Sequence, residues 1–132
     1  MIYKFFDTSS LLLIDKSALL QEDYKIVIST ITLQELETLK YKESRSYEAR
    51  RTLKLLDKYH DRYETYIFKR EMLNVIIDNG FDISNDSKIL ATAIAYDKEV
   101  HPDEVVFVTN DRALKHIANV FFGNDSIESY TR

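Results

Sequence analysis

The stretch Tyr3-Lys4-Phe5-Phe6-Asp7-Thr8-Ser9-Ser10-Leu11-Leu12-Leu13 decides how the chain folds. An apolar run opens almost at the first residue, stops on the carboxylate of Asp7, and resumes as a helical pattern after the hydroxyl residues. A short buried strand ending on an acid presents that acid at the edge of a sheet. In open α/β sheets, ligands bind outside the carboxyl ends of the strands, where the strand order reverses. Asp and Ser also suit a helix cap, because their oxygens accept the free N–H groups of a first turn. Asp7 alone fits both roles, so the rest of the chain has to separate them.

The same pattern returns near the other end. Residues 104–110, Glu104-Val105-Val106-Phe107-Val108-Thr109-Asn110, form the clearest buried strand, which runs into Asp111 and an amphipathic helix over 112–120. Between the two, residues 9–14 and 16–21 read as short helical pieces, and the β-branched run 25–29 reads as a second strand. Thr30 to Thr32 offer capping chemistry before a helix over 33–40, which puts Leu33, Leu36 and Leu39 on one face. A longer helix is expected over 44–60, an aromatic third strand over 63–69, and a helix over 70–79 closed by Gly80. Ser84 or Asn85 then caps a helix with the buried stripe Ile89, Leu90, Ala93 and Ile94. Pro102-Asp103 marks a turn, and 127–130 supplies a last short strand. Strands alternating with helices at this spacing predict a parallel, doubly wound α/β sheet.

Composition narrows the chemistry. At 132 residues and 45% hydrophobic, the chain is expected to form one domain, 1–132, with a real core. Without cysteine it has no disulfide, thiolate zinc site or cysteine nucleophile, which fits a reducing cytoplasmic setting. No apolar run approaches the roughly 18 residues of a membrane span, and no cleavable signal pattern opens the chain. With two glycines and no GxGxxG or Walker-type sequence, nucleotide binding through a Gly-rich loop is excluded. A net charge of −4 argues against a generally basic nucleic-acid binder but leaves room for a local basic face.

Four acids share one structural address: Asp7, Glu35, Asp86 and Asp111 each fall just past a strand or in the first turns of the next helix. Singly, each has a capping or helix-dipole explanation. Together, four crowded carboxylates repel one another and need a divalent cation to stay ionised. Hard oxygen ligands select Mg²⁺ or Mn²⁺ over zinc. Glu37 lies about 200° around the helix from Glu35 and belongs to a solvated face. His60, His101 and His116 stand alone and read as surface or partly packed residues. Lys40, Lys42, Arg45, Arg50, Arg51 and Lys54 form a basic stripe beside Tyr47, which serves either as a solubilising surface or as a contact for phosphates.

Phe5-Phe6-Asp7-Thr8-Ser9, Thr32-Leu33-Gln34-Glu35-Leu36, Asp86-Ser87-Lys88-Ile89-Leu90-Ala91 and Val108-Thr109-Asn110-Asp111 resemble, in order and spacing, the four acidic motifs of PIN-domain ribonucleases. The third and fourth motifs are most similar to the PIN domains attached to PhoH-type ATPases. The resemblance covers nearly the whole chain. It implies a three-layer α/β/α sandwich with a five-stranded parallel sheet and metal-dependent cleavage of single-stranded RNA. It further implies that Asp7, Glu35, Asp86 and Asp111 are the catalytic metal ligands, with Thr8, Ser9, Thr109 and Asn110 supporting them. Such relatives are often homodimers, and some are toxins silenced by an antitoxin-like partner. A linked PhoH-type ATPase would need a P-loop, which is absent here, so the chain is either a free-standing relative or an excised domain.

The acids would hold one or two ions that activate a water and offset charge on the leaving oxygen. The residues 40–54, with Lys88 and Arg112, would meet flanking phosphates. One departure stands out: the family usually has Asn two residues after its first Asp, and here that residue is Ser9. The alternative function is therefore a weak or inactive PIN-like module that binds RNA or protein. Phosphotransfer fits poorly, because a dehalogenase-type site wants Asp at position 9 and a receiver wants a nucleophilic Asp after the third strand.

Overall fold

The computed structural model describes residues 1–100 and 104–131. Its frame is a five-stranded sheet: β1 Ile2–Phe6, β2 Tyr24–Ser29, β3 Tyr63–Tyr66, β4 Glu104–Val108 and β5 Ile127–Glu128. The order is β3-β2-β1-β4-β5 and every pairing is parallel. The chain builds outward from β1 to β2 and β3, then returns to the other side of β1 for β4. The strand order therefore reverses between β1 and β4, and Asp7 leaves β1 at that crevice.

The strands read as continuous apolar runs because both faces are covered. Side chains alternate across the sheet: Phe5, Val27, Val105 and Phe107 pack on one face, and Phe6, Ile26, Ile28, Val106 and Val108 on the other. The first face is closed by α5 Asn74–Asp78, α6 Asn85–Val100 and α7 Arg112–Ala118. The second is closed by α1 Thr8–Leu11, α2 Lys16–Leu19 and α4 Ser46–Lys58. The helix α3 Thr30–Leu39 joins the layers, sending Ile31 into one core and Leu36 into the other. The expected α/β/α sandwich is what forms.

Several boundaries move, each for a local reason. Ser29 ends β2 and caps α3 through the Ile31 N–H at 3.1 Å, so Thr30 to Thr32 are helical rather than capping residues. With β2 finished at Ser29, an edge strand over 63–69 has no partner beyond Tyr66. The Phe68 N–H instead donates to Thr30 Oγ1 at 3.0 Å. The helix expected over 70–79 divides into a 3₁₀ turn, Arg70–Leu73, and the short α5. Gly80, at φ +83°, ends it as anticipated, with the Phe81 N–H returning to Ile76 O in a Schellman closure. β5 has two residues rather than four, since Asn110 takes over pairing with the Tyr130 backbone. The turn at Pro102-Asp103, and His101 with it, lies outside the described residues.

Candidate active site

Among the described residues, Asp7 is the most elaborately held carboxylate. It is 2% exposed and N-caps α1, accepting from the Ser10 N–H at 2.9 Å. Thr109 Oγ1 donates to its Oδ2 at 2.6 Å, and Ser9 Oγ lies 2.9 and 3.0 Å from its two oxygens. Ser10 Oγ, fully buried, sits 2.7 Å from Oδ1 and 3.0 Å from Val108 O. The backbone N–H of Asp7 continues the β1–β4 ladder to Val108 O. Capping and site presentation are thus one arrangement: the sheet ends, the acid turns into the crevice, and the helix starts on it.

The turn after β4 repeats this arrangement and is tied to the first. Asp111 caps α7 through the Leu114 N–H at 3.1 Å. Thr109 joins the two turns, donating to Asp7 and accepting from the Asp111 N–H at 3.1 Å. Glu35, in the second turn of α3, is reached from α1 by Thr8 Oγ1 at 2.5 Å and from α6 by Asn85 Nδ2 at 3.4 Å. Ser84 is the residue that caps α6, exchanging bonds with Ser87, which leaves the Asn85 amide free to face Glu35.

Asp86 completes the set in a different way. No donor reaches its carboxylate among the described residues. Its pKa is pushed up from 3.8 to about 6, first by loss of solvation on its packed side and then by the charges of Asp111, Glu35 and Asp7. The other side of the residue is open to solvent. The structure therefore brings Asp7, Glu35 and Asp111 within electrostatic reach of Asp86. None of them forms an ion pair with Lys, Arg or His among the described residues. Nor do any three side chains of His, Cys, Asp or Glu there stand close enough to ligate one ion directly. Glu35 is drawn to Thr8, Asp7 to its hydroxyls and Asp111 to its helix, which holds the carboxylates apart.

Residues 5–121 match the family described as PIN domain. The chain belongs to the PIN-domain family. Known structures show the same PIN fold. VapBC2 from Rickettsia felis, solved bound to a DNA fragment from the promoter, is 26% identical, with TM-score 0.58 over 99% of this chain and 100% of that one. PAE2754 from Pyrobaculum aerophilum is 18% identical, with TM-score 0.58 over 96% and 83%. VapBC-5 from Mycobacterium tuberculosis, a member of the VapBC toxin–antitoxin family, is 17% identical, with TM-score 0.56 over 98% and 98%. No curated protein matches the chain in sequence.

In this PIN domain the supporting residues divide. Thr8, Ser9 and Thr109 reach the acids, whereas the Asn110 side chain clamps Tyr130, donating to its carbonyl at 3.0 Å and accepting from its N–H at 2.8 Å. Ser10 was missed by the sequence reading, although its place three residues past Asp7 is where a first-turn hydroxyl meets a cap. The α4 stripe is largely engaged elsewhere. Arg51 donates to Leu12 O at 2.7 Å, Arg45 pairs with Glu48 at 3.3 Å, and Arg50 donates to Ser46 Oγ at 3.1 Å. Lys40 pairs with Glu37 at 2.6 Å, which places Glu37 away from the acids, as its helical angle requires. Lys42 lines a cleft of about 270 Å³ beside Glu35 and Asn85, and Lys54 is exposed.

Proposed function

We propose that this PIN domain is a Mg²⁺- or Mn²⁺-dependent endoribonuclease that cuts single-stranded RNA. The observation that carries the reading is a set of four carboxylates that form no ion pair among the described residues, one of them pushed towards neutrality first by burial and then by the charges of the other three. PIN domains are generally nucleases, and an all-oxygen donor set suits a hard divalent ion. The spacing of the carboxylates also suits Mg²⁺, which keeps several of its own waters and binds through one or two carboxylates rather than a full protein cage. When bound, the ion would acidify a water and offset charge on the leaving oxygen of the phosphodiester.

The chain's own residues then have distinct tasks. Asp86, lacking donors of its own, would hold the ion together with Asp7, whose hydroxyl donors keep its carboxylate in place. Thr109 fixes Asp7 relative to Asp111, and Thr8 fixes Glu35, so the acids hold their places before any ion arrives. Ser9 supplies to Asp7 the hydrogen bond that a longer amide would otherwise make. Likeness to VapBC2 leads us to propose a partner of antitoxin type as well.

Thermal unfolding in EDTA, Mg²⁺ and Mn²⁺, with cleavage of single-stranded RNA measured in parallel, tests the reading. A ligand that binds only the folded state raises Tm. A Mn²⁺-dependent rise and Mn²⁺-dependent cleavage, both lost in Asp111→Asn, are expected. No rise and no cleavage in the wild type would make the chain a non-catalytic binding module.

A further inference from the structure

One group of basic side chains, two of them charged, is placed unlike those of α4. Arg112, Lys115 and His116 are three and four positions apart on α7, hence on one helix face, and line a cleft of about 400 Å³. Thr109 and Asp111 form part of the same cleft, so it opens onto the acidic set. Among the described residues, none of these three side chains has an ion-pair or hydrogen-bond partner. Four of the α3–α4 cations, by contrast, are held by Leu12 O, Glu48, Ser46 and Glu37.

Uncompensated cations beside uncompensated anions have a simple chemical meaning. Arg112 and Lys115 form no ion pair with the acids, so their hydrogen-bonding groups are not taken up by them. They are free to neutralise something that spans both zones, and a nucleic-acid strand does so, with one phosphate at the acids and its neighbours beyond. We propose that the α7 cleft is the track for the phosphates flanking the one that is cut, held by Arg112 and Lys115, with the His116 ring as a further donor. This rests on the nuclease reading for the identity of the strand, single-stranded RNA, and not for the binding itself. Such contacts are electrostatic, sequence-independent and weakened by salt. Arg suits a phosphate through its planar fork, and Lys acts as a point charge.

The test compares Arg112→Gln/Lys115→Gln with Arg50→Gln/Lys54→Gln in the full chain. Binding of a fluorescein-labelled single-stranded RNA is followed by anisotropy across a salt series in EDTA. Cleavage of the RNA and of bis(p-nitrophenyl) phosphate, a small diester with no flanking phosphates, is followed in Mn²⁺. Loss of two phosphate contacts makes the slope of log affinity against log salt shallower by about 1.4. The α7 pair is expected to show that change and a lower kcat/KM on RNA, with small-diester hydrolysis and Tm unchanged. The α4 pair is expected to change little. Equal RNA binding and equal salt slopes in wild type and the α7 pair would overturn the track, whether or not the chain is a nuclease. A chain that binds RNA through α7 but cuts neither substrate would overturn the nuclease reading and leave the track standing.

Discussion

Asp7 and Asp86 are both carboxylates of the same crevice, yet their surroundings are opposite. Asp7 is buried and surrounded by donors from Ser9, Ser10 and Thr109. Asp86 is open on one side, reached by no donor among the described residues, and faces three other acids. The difference teaches how one fold accommodates four like charges. Where hydrogen bonds stabilise a carboxylate, the charge becomes part of the framework that joins β1, α1 and β4. Where they do not, as at Asp86, the carboxylate carries the repulsion of its neighbours.

The comparison breaks most visibly at Asp7. Asp7→Asn replaces an acceptor-only group by one that presents N–H to hydroxyls already aimed at it, at a residue only 2% exposed. We expect a loss of about 3 kcal/mol of stability, read by urea unfolding, together with loss of cleavage. Thr109→Val keeps the side chain's shape but removes the hydroxyl shared by Asp7 and Asp111. It should cost about 2 kcal/mol and lower kcat more than it raises KM, because the acids lose their mutual placement.

Asp86→Asn should behave in the reverse direction. A carboxyl whose pKa is raised on folding holds its proton more tightly in the folded state. Its contribution to stability is full below the ordinary value of 3.8 and is lost as pH rises through about 6. In EDTA, therefore, the wild type should fall in Tm relative to Asp86→Asn across that window, and the variant should be the more stable protein at neutral pH. Mn²⁺ should raise the Tm of the wild type, less at acid pH than at neutral pH because protons compete for the ligand, and leave the variant unmoved. Scans at several pH values, with and without Mn²⁺, check both statements; a wild-type Tm that rose relative to the variant through the same window would remove the electrostatic coupling. The smallest effect belongs to Ser9→Ala. Asp7 keeps its other donors, so the change should stay below about 1 kcal/mol by urea unfolding, with a modest fall in kcat.

Much of this was legible beforehand because it depends on periodicity and chain order. The two strand–acid–helix turns at Asp7 and Asp111 announce themselves as apolar runs broken by a carboxylate and hydroxyls. Gly80 announces a helix end. The third strand and the helix after it were misjudged in extent, since an edge strand stops where its neighbour stops, and β2 stops where Ser29 turns to cap α3. The basic stripe was legible as charge but not as function. Whether Arg51 meets a phosphate or Leu12 O depends on what α4 packs against, and nothing in its own sequence states that.

The sequence by itself determined the parallel α/β order, the positions of four acids after strands or in the first turns of helices, and the absence of thiol and Gly-loop chemistry. These follow from local pattern and from residue inventory. Only the tertiary structure decided which acids are held by donors and which are left bare, that Ser10 and Thr109 lock Asp7, and that α7 rather than α4 carries unpartnered cations beside the site. Those outcomes depend on distances between residues up to about a hundred positions apart in the chain, as between Thr109 and Asp7. Hydrogen bonding and charge–charge coupling act through space, so they become readable only once β1 and β4 lie side by side.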